Sequence, residues 1–285
     1  MSKTHSITEL EKKANEIRIS IIKMLEHAGS GHSAGPLGLA DIFTALYFDV
    51  LKHDPKKPDW EERDILLLSN GHTVPVRYAT MAHAGYFDKK ELLTLRQLGS
   101  RLQGHPERTK LPGMENTSGP LGSGLSQAAG MALAMRMNHD LHRWVYVVMG
   151  DGELDEGNIW EAAMLAGKYK LNNIIGIVDR NNIQIDGPTE DVMPLEDLAA
   201  KWEAFGWHVL EIDGNNMEAI IDACALARAI VEKPVLIIAR TVPGKGVGFM
   251  EYDFHWHGAP PNHEQAKQAL HDLRTLQGKI KSEHQ

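Results

Sequence analysis

Two segments, VYVVMGDGELDEG at 145–157 and IIGIVDRNN at 174–182, decide how this chain is expected to fold. Each begins with an apolar run of strand length and ends in polar residues. Between them, residues 159–169 repeat apolar side chains at helical spacing. The sequence therefore predicts a strand, a helix and a second strand, which is the repeating unit of a parallel sheet.

The same alternation extends outward along the chain. Residues 6–9 have capping-box spacing and begin a first helix. The predicted strands are 65–68, 145–149, 174–178, 235–239 and, more weakly, 209–212. The predicted helices between them are 123–137, 159–169, 195–205 and 217–231. This order predicts an α/β protein with three α/β/α layers around a mostly parallel central sheet.

Polar residues follow two successive predicted strands. Asp151 comes directly after the first strand and Asn181 just after the second, so both are expected at the carboxyl edge of the sheet, where such folds bind ligands. Together with the backbone carbonyl of Ile183, they offer the oxygen ligands that Mg²⁺ prefers. Gly150 and Gly152 lack Cβ atoms, so backbone amides can approach a phosphate.

The simpler interpretation of the Gly-Asp-Gly tripeptide is an ordinary turn, with Asp151 capping a helix and Asn182 in a left-handed conformation. The spacing favours a binding function. Gly-Asp-Gly is followed by 28 residues and then Asn-Asn, with one helix and one strand between them. This segment resembles the motif of the thiamine diphosphate enzymes.

Four histidines lie in loops rich in small residues: His32 in SGHSAG, His72 in SNGH, His105 in GHPE and His257 in HWHGAP. A lone loop histidine is usually a solvated side chain. Four of them at expected sheet edges suit the binding of sugar hydroxyls and phosphates and proton transfer near pH 7.

Composition excludes several other classes of protein. The 285 residues carry 30 basic and 38 acidic side chains, a net charge of −8, and no basic run typical of nucleic-acid binding. The single cysteine, Cys224, permits no intrachain disulfide. A polar amino terminus and the absence of a long apolar stretch predict a cytoplasmic protein without a membrane span.

The motifs SGH, SNGH, GHPE, SGPLGSG, GDGELDEG, DRNN and HGAP occur in the order found in transketolases. Over about residues 10–265 the chain resembles the N-terminal, diphosphate-binding half of a transketolase. The resemblance implies thiamine diphosphate with Mg²⁺, or Ca²⁺ or Mn²⁺, as cofactors. It also implies transfer of a two-carbon ketol unit from a ketose phosphate to an aldose, as in pentose phosphate metabolism.

The resemblance implies three kinds of site residue. The metal ligands are Asp151, Asn181 and the carbonyl of Ile183. The cofactor-binding residues are His72, Gly119, Leu121, Gly152, Glu156, Asn181 and His257, with Glu156 matching a carboxylate that links paired active sites. The catalytic residues of the donor-sugar channel are His32, His105 and His257.

The family's catalytic glutamate belongs to a separate pyrimidine-binding domain, which this sequence does not include. We expect residues 1–265 to form the diphosphate-binding domain and 266–285 a C-terminal helix and polar tail. A separate C-terminal, pyrimidine-binding subunit is the expected partner, in a heterotetramer of two plus two chains. An expressed fragment of a longer enzyme is the alternative origin.

Other functions remain open at this stage. The 1-deoxyxylulose-5-phosphate synthases and dihydroxyacetone synthases share parts of the motif set. The same fold is also expected of a specialised sugar-phosphate transketolase and of a noncatalytic cofactor-binding subunit. A metal hydrolase would use the four histidines as ligands. Ser33-Ala34 and residues 73–77 depart from the family pattern. Arg77 either reshapes the pocket or packs a helix start, which leaves the donor sugar open.

Overall fold

The computed structural model describes residues 5–140 and 142–275. The strands in this part of the chain are β1 (Ile65–Leu68), β2 (Val145–Gly150), β3 (Ile174–Arg180), β4 (Ile183–Gln184), β5 (Gly187–Pro188), β6 (His208–Asp213) and β7 (Val235–Arg240). Five of them form a parallel sheet in the order β1-β2-β3-β7-β6, and β4 pairs with β5 antiparallel. The predicted parallel sheet is confirmed, with the weakest predicted strand, β6, at its edge.

The helices connect and cover these strands. In the described chain they are α1 (Ile7–Ala28), α2 (Ala34–Gly38), α3 (Ala40–Ala45), α4 (Val74–Ala84), α5 (Ser123–Met137), α6 (Gly157–Tyr169), α7 (Thr189–Val192), α8 (Leu198–Ala204), α9 (Met217–Ala229) and α10 (His263–Thr275). None of the described helices combines the length and the apolar character that crossing a bilayer requires.

Two hydrophobic cores lie on opposite faces of the sheet. Along β2, Tyr146 and Val148 pack into the core formed with α1, α3, α4, α9 and α10, while Val147 and Met149 pack into the core formed with α5, α6 and α8. Successive strand residues point to opposite faces, so a strand covered on both sides is apolar throughout. This arrangement confirms the three predicted layers.

Side-chain caps determine where several helices begin. Ser6 and Glu9 form the predicted capping box of α1. The helix predicted for 195–205 begins later, at Leu198, because the Asp197 side chain accepts a hydrogen bond from the backbone N–H of Ala200 at 3.2 Å. Helix α9 ends at Ala229, two residues before its predicted end.

The C-terminal helix packs on the amino-terminal one. The Asn15 side chain on α1 donates to the carbonyl of Leu273 at 2.8 Å, and Ala266, Ala269 and Leu273 are buried in the same core as α1. The predicted polar tail lies outside the described residues, and the boundary at residue 265 stays a prediction.

The strand register positions the site. Gly150 of β2 lies opposite Asp179 of β3, and β1 runs beside β2 with Leu68 opposite Val148. The three strands therefore end side by side at the carboxyl edge of the sheet. This places the Gly-Asp-Gly turn between the loop after β1 and the loop after β3.

Candidate functional site

A cavity of about 290 Å³ opens at the carboxyl edge of the sheet. Ten residues of the predicted site line it, and they come from six separate loops and strand ends. They are His32, His72, His105, Gly119, Leu121, Asp151, Gly152, Asn181, Ile183 and His257. Glu156 lies outside the lining, exposed just before α6. Its predicted part in linking paired active sites stays a prediction.

Asp151 is buried at the centre of the carboxyl edge. Its Oδ1 accepts a hydrogen bond from the backbone N–H of Gly152 at 2.8 Å. Its Oδ2 accepts from the backbone N–H of Asn182 at 2.7 Å and from Arg180 Nη1 at 3.1 Å. Burial raises the pKa of Asp151 to about 6, against the opposing effects of Arg180 and the two amides. A buried carboxylate with this raised pKa favours a nearby cation.

Asn181 is held in a fixed orientation beside it. Its Nδ2 donates to Asp179 Oδ2 at 2.8 Å, and its Oδ1 accepts from the backbone N–H of Ile183 at 3.0 Å. Asp179 is buried and also accepts a hydrogen bond from the Thr241 hydroxyl, and burial raises its pKa to about 7. Asn181 lines the cavity, and its side-chain carbonyl oxygen keeps a second lone pair that can bind a ligand.

Glu153 clamps the loops that surround the turn. Its Oε2 accepts from the backbone N–H of Gly150 at 3.0 Å, and its Oε1 accepts from the N–H of Gly122 at 2.6 Å and from the Ser69 hydroxyl. Burial raises the pKa of Glu153 to about 7. One buried carboxylate therefore joins the ends of β1 and β2 to the start of α5.

Features of an ordinary turn are also present. Asn182 has a left-handed backbone with φ of 63°, and Asp151 caps the short 3₁₀ turn Gly152–Asp155. A Cβ atom on Gly152 would lie 3.2 Å from the Gln184 side chain, whereas one on Gly119 would meet nothing within 4 Å. The close approach of Gln184 thus accounts for a small residue at Gly152, whereas the open space beside Gly119 leaves its backbone accessible to a ligand.

Three of the four histidines form a cluster. The ring centroids of His32 and His72 are 4.8 Å apart, those of His72 and His257 5.2 Å, and those of His32 and His257 5.7 Å. His105 lines the same cavity as these three rings. The structure therefore brings all four predicted histidines to one site.

The histidines are held neutral at pH 7. Burial, assisted by His257 and Arg96, lowers the pKa of His32 to about 4. Burial also lowers the pKa of His72 well below its usual value and that of His257 below it, and burial followed by Arg96 lowers the pKa of His105. Neutral imidazoles both donate and accept hydrogen bonds, as sugar hydroxyls require.

Unpartnered polar atoms around the cavity indicate a polar ligand. Among the described cavity-lining residues, His32 Nδ1, His257 Nδ1 and Asn70 Oδ1 are buried without a hydrogen-bond partner, which is costly unless a bound group satisfies them. Within 5–140 and 142–275, no group of three or more His, Cys, Asp and Glu side chains is arranged to hold a metal. A carboxylate, an amide and a backbone carbonyl instead fit a Mg²⁺ that also binds phosphate oxygens.

Sequence patterns alone missed several residues of this region. Glu153 and Arg180 lie inside the quoted motifs, but they also bind residues distant in sequence, such as Ser69 and Asp151, and Asn70 stands two residues before His72. Arg77 does not line the cavity. It contacts the Tyr47 hydroxyl, the Gly113 carbonyl and Glu115, so its packing interpretation holds.

Comparison with known proteins agrees with this geometry. Residues 10–276 match the family described as transketolase, thiamine diphosphate binding domain. The chain is 43% identical over 265 residues to the 6-deoxy-6-sulfo-D-fructose transketolase subunit SqwG of Clostridium sp. (strain MSTE9), covering 93% of this chain and 96% of that protein. It is 40% identical over 278 residues to an apulose-4-phosphate transketolase subunit of Phocaeicola vulgatus, covering 98% of each.

Solved structures show the same fold in longer chains. The transketolase of Campylobacter jejuni superimposes with a TM-score of 0.88 at 39% identity, covering 95% of this chain and 43% of that chain. This chain thus spans about two fifths of that enzyme's length.

Proposed function

We propose that this chain, which belongs to the transketolase family through its thiamine diphosphate-binding domain, is the diphosphate-binding subunit of a split transketolase. It is a transketolase subunit, and so a transferase. The reaction we propose moves a two-carbon ketol unit from a ketose phosphate, or a similarly anionic ketose, to an aldose. The relatives named for a sulfonated and a phosphorylated sugar support an anionic substrate but leave its identity open.

In this proposal the carboxyl edge of the sheet holds the cofactor. Asp151, Asn181 and the Ile183 carbonyl bind Mg²⁺, for which Ca²⁺ or Mn²⁺ can substitute, and the Gly152 region with His72 binds the diphosphate. Gly119 and Leu121 support the aminopyrimidine through their backbone. When bound, thiamine diphosphate supplies the electron sink for cleavage and formation of the carbon–carbon bond.

The histidines bind and orient the sugar. His32, His105 and His257 line one cavity and are neutral at pH 7, so each can donate a hydrogen bond to one hydroxyl and accept one from another. A neutral imidazole can also accept a proton from a donor hydroxyl. We assign this proton transfer to His257 and His32, whose ring centroids lie 5.7 Å apart in the lining of the cavity.

The rest of the active site comes from a partner. Relatives named as subunits imply one, and this chain corresponds to about two fifths of a solved transketolase. We propose a C-terminal, pyrimidine-binding chain that supplies the catalytic glutamate, in a cytoplasmic heterotetramer of two plus two chains. Glu156, exposed before α6, is the candidate link between paired sites.

The observation that carries the proposal is the convergence of Asp151, Asn181 and Ile183 beside the histidine cluster in one cavity. Isothermal titration tests it. Thiamine diphosphate with Mg²⁺ should bind the wild-type chain, and Asp151→Ala should lose the metal-dependent part of that binding. Asp222→Ala, which replaces an exposed acid on α9, is the matched control. Normal cofactor binding by Asp151→Ala would refute the metal assignment.

A further inference from the structure

Arg180 joins the proposed metal site to two glutamates. It stands at the end of β3 with its side chain 1% exposed. Its Nη1 donates to Asp151 Oδ2 at 3.1 Å, and its Nη2 donates to Glu190 Oε1 at 2.6 Å and to Glu196 Oε1 at 3.0 Å. One buried guanidinium therefore ties the central carboxylate to the segment that includes α7.

The hydrogen bonds of Asp151 are unevenly shared between its two oxygens. Oδ2 accepts from Arg180 and from the Asn182 backbone N–H, with the Thr189 hydroxyl at 3.4 Å as a third, weaker donor. Among the described residues, Oδ1 accepts only from the Gly152 backbone N–H. Since a carboxylate oxygen offers about two acceptor positions, Oδ2 is filled and Oδ1 retains one.

Charge alone would make Arg180 unfavourable for a cation site. A guanidinium in contact with a metal-binding carboxylate repels the metal and competes for its ligand. Glu190 and Glu196 offset this, because together with Asp151 they set three negative charges against the one positive charge. Their side chains are 39% and 46% exposed, and they also accept the backbone N–H groups of Leu195 and Leu198, which a glutamine oxygen can still accept.

We propose that Arg180 is a positioning residue for the divalent metal. It holds Asp151 so that Oδ1 is the oxygen offered to the metal, while Glu190 and Glu196 neutralise its charge and fix its guanidinium. This inference rests on the proposed function, which supplies the metal. It predicts that removal of Arg180 weakens metal binding. If Arg180 only competed with the metal for Asp151, its removal would strengthen metal binding.

Binding of Mn²⁺ to the full chain in the presence of thiamine diphosphate provides the test, with free Mn²⁺ measured by electron paramagnetic resonance. Arg180→Met should raise the dissociation constant for Mn²⁺ about 10- to 100-fold, the usual effect of losing a group that orients a metal ligand. Arg180→Lys should recover part of the affinity, because an ammonium can still contact Asp151 but lacks the fork that reaches both glutamates.

Variants of Glu190 and Glu196 distinguish the positioning of Asp151 for the metal from a general effect on stability. The double variant Glu190→Gln/Glu196→Gln should raise the Mn²⁺ dissociation constant about two- to fivefold, the range expected for partly exposed ion pairs. The glutamine oxygens can still accept the backbone N–H groups of Leu195 and Leu198, and the unfolding midpoint without metal, measured in parallel, reports the separate cost of leaving the buried guanidinium with fewer ion pairs. Asp191→Asn, which replaces an exposed acid that makes no ion pair with Arg180, is the matched control and should bind Mn²⁺ normally.

The possible outcomes are distinguishable. If Asp151→Asn loses Mn²⁺ while Arg180→Met binds it equally or more tightly, the positioning inference is overturned and the proposed function stands. Equal Mn²⁺ binding by the wild type and Asp151→Asn, including no binding by either even with the partner subunit present, overturns the proposed metal site itself. If Arg180→Met does not fold, Arg180→Lys and the glutamate variants decide, and wild-type Mn²⁺ affinity in all of them refutes the inference.

Discussion

Replacing Glu153 with glutamine should destabilise the protein by about 1–3 kcal/mol, the cost of leaving one buried donor without an acceptor. Oε1 of Glu153 serves two donors, Ser69 and Gly122, whereas Oε2 serves only Gly150 among the described residues. The glutamine is therefore expected to keep its oxygen at the first position. Its NH₂ group would then face the Gly150 N–H at 3.0 Å, so the hydrogen bond that is lost is the one to the Gly-Asp-Gly turn.

Urea unfolding measures this cost directly. Burial raises the pKa of Glu153 to about 7, so the ionised wild-type side chain is itself disfavoured in the fold at higher pH; the assay therefore belongs near pH 5, where this opposing effect is small. The midpoint should fall while the slope against urea stays unchanged. Asp155→Asn, which changes an exposed neighbour in the same turn, is the control and should change stability by less than about 0.5 kcal/mol. A Glu153→Gln midpoint equal to that of the control would show that Glu153 is not a clamp.

Two further variants test packing and protonation. Gly124→Ala should lower the free energy of unfolding by about 1–3 kcal/mol through overpacking, because the new Cβ would lie 2.4 Å from the Ser69 Cβ and 2.8 Å from its backbone. An unchanged unfolding midpoint would show that β1 and α5 can separate freely. His32 has a pKa of about 4 in the fold against 6.5 as the ordinary value, so the unfolded chain binds its proton first as the pH falls. The stability that His32 contributes above pH 6.5 should decline by up to about 3 kcal/mol as the pH falls toward 4. His32→Gln should flatten that part of the plot of stability against pH. Identical plots for the wild type and the variant would contradict the burial of a neutral His32.

The sheet was predictable because its strands are covered on both faces. Residues 145–149 and 174–178 are continuous apolar runs, and a helix of ordinary length separates them, so adjacent parallel pairing followed from general rules of chain connection. That pairing brought Asp151 and Asn181 together as expected. The predicted histidines also reached one cavity, because loops at the same edge of a parallel sheet converge.

Contacts between distant residues were not predictable in the same way. Glu153 binds the Ser69 hydroxyl 84 positions away, and Arg180 donates to Glu190 and Glu196, although the chain carries many other exposed acids. Such pairings depend on loop conformations, which hydrophobic periodicity does not encode. The late start of α8 is a smaller example, since apolar spacing continued through residues that the Asp197 cap excludes from the helix.

Mixing the purified chain with a C-terminal, pyrimidine-binding transketolase subunit tests the proposed function most directly. With thiamine diphosphate, Mg²⁺, an anionic ketose donor and an aldose acceptor, ketol transfer should appear in the mixture and be absent from either chain alone. Asp151→Ala in the same mixture should abolish it. Full transketolase activity from this chain by itself would contradict the split-subunit proposal, and cofactor binding without any transfer in the mixture would favour a noncatalytic subunit.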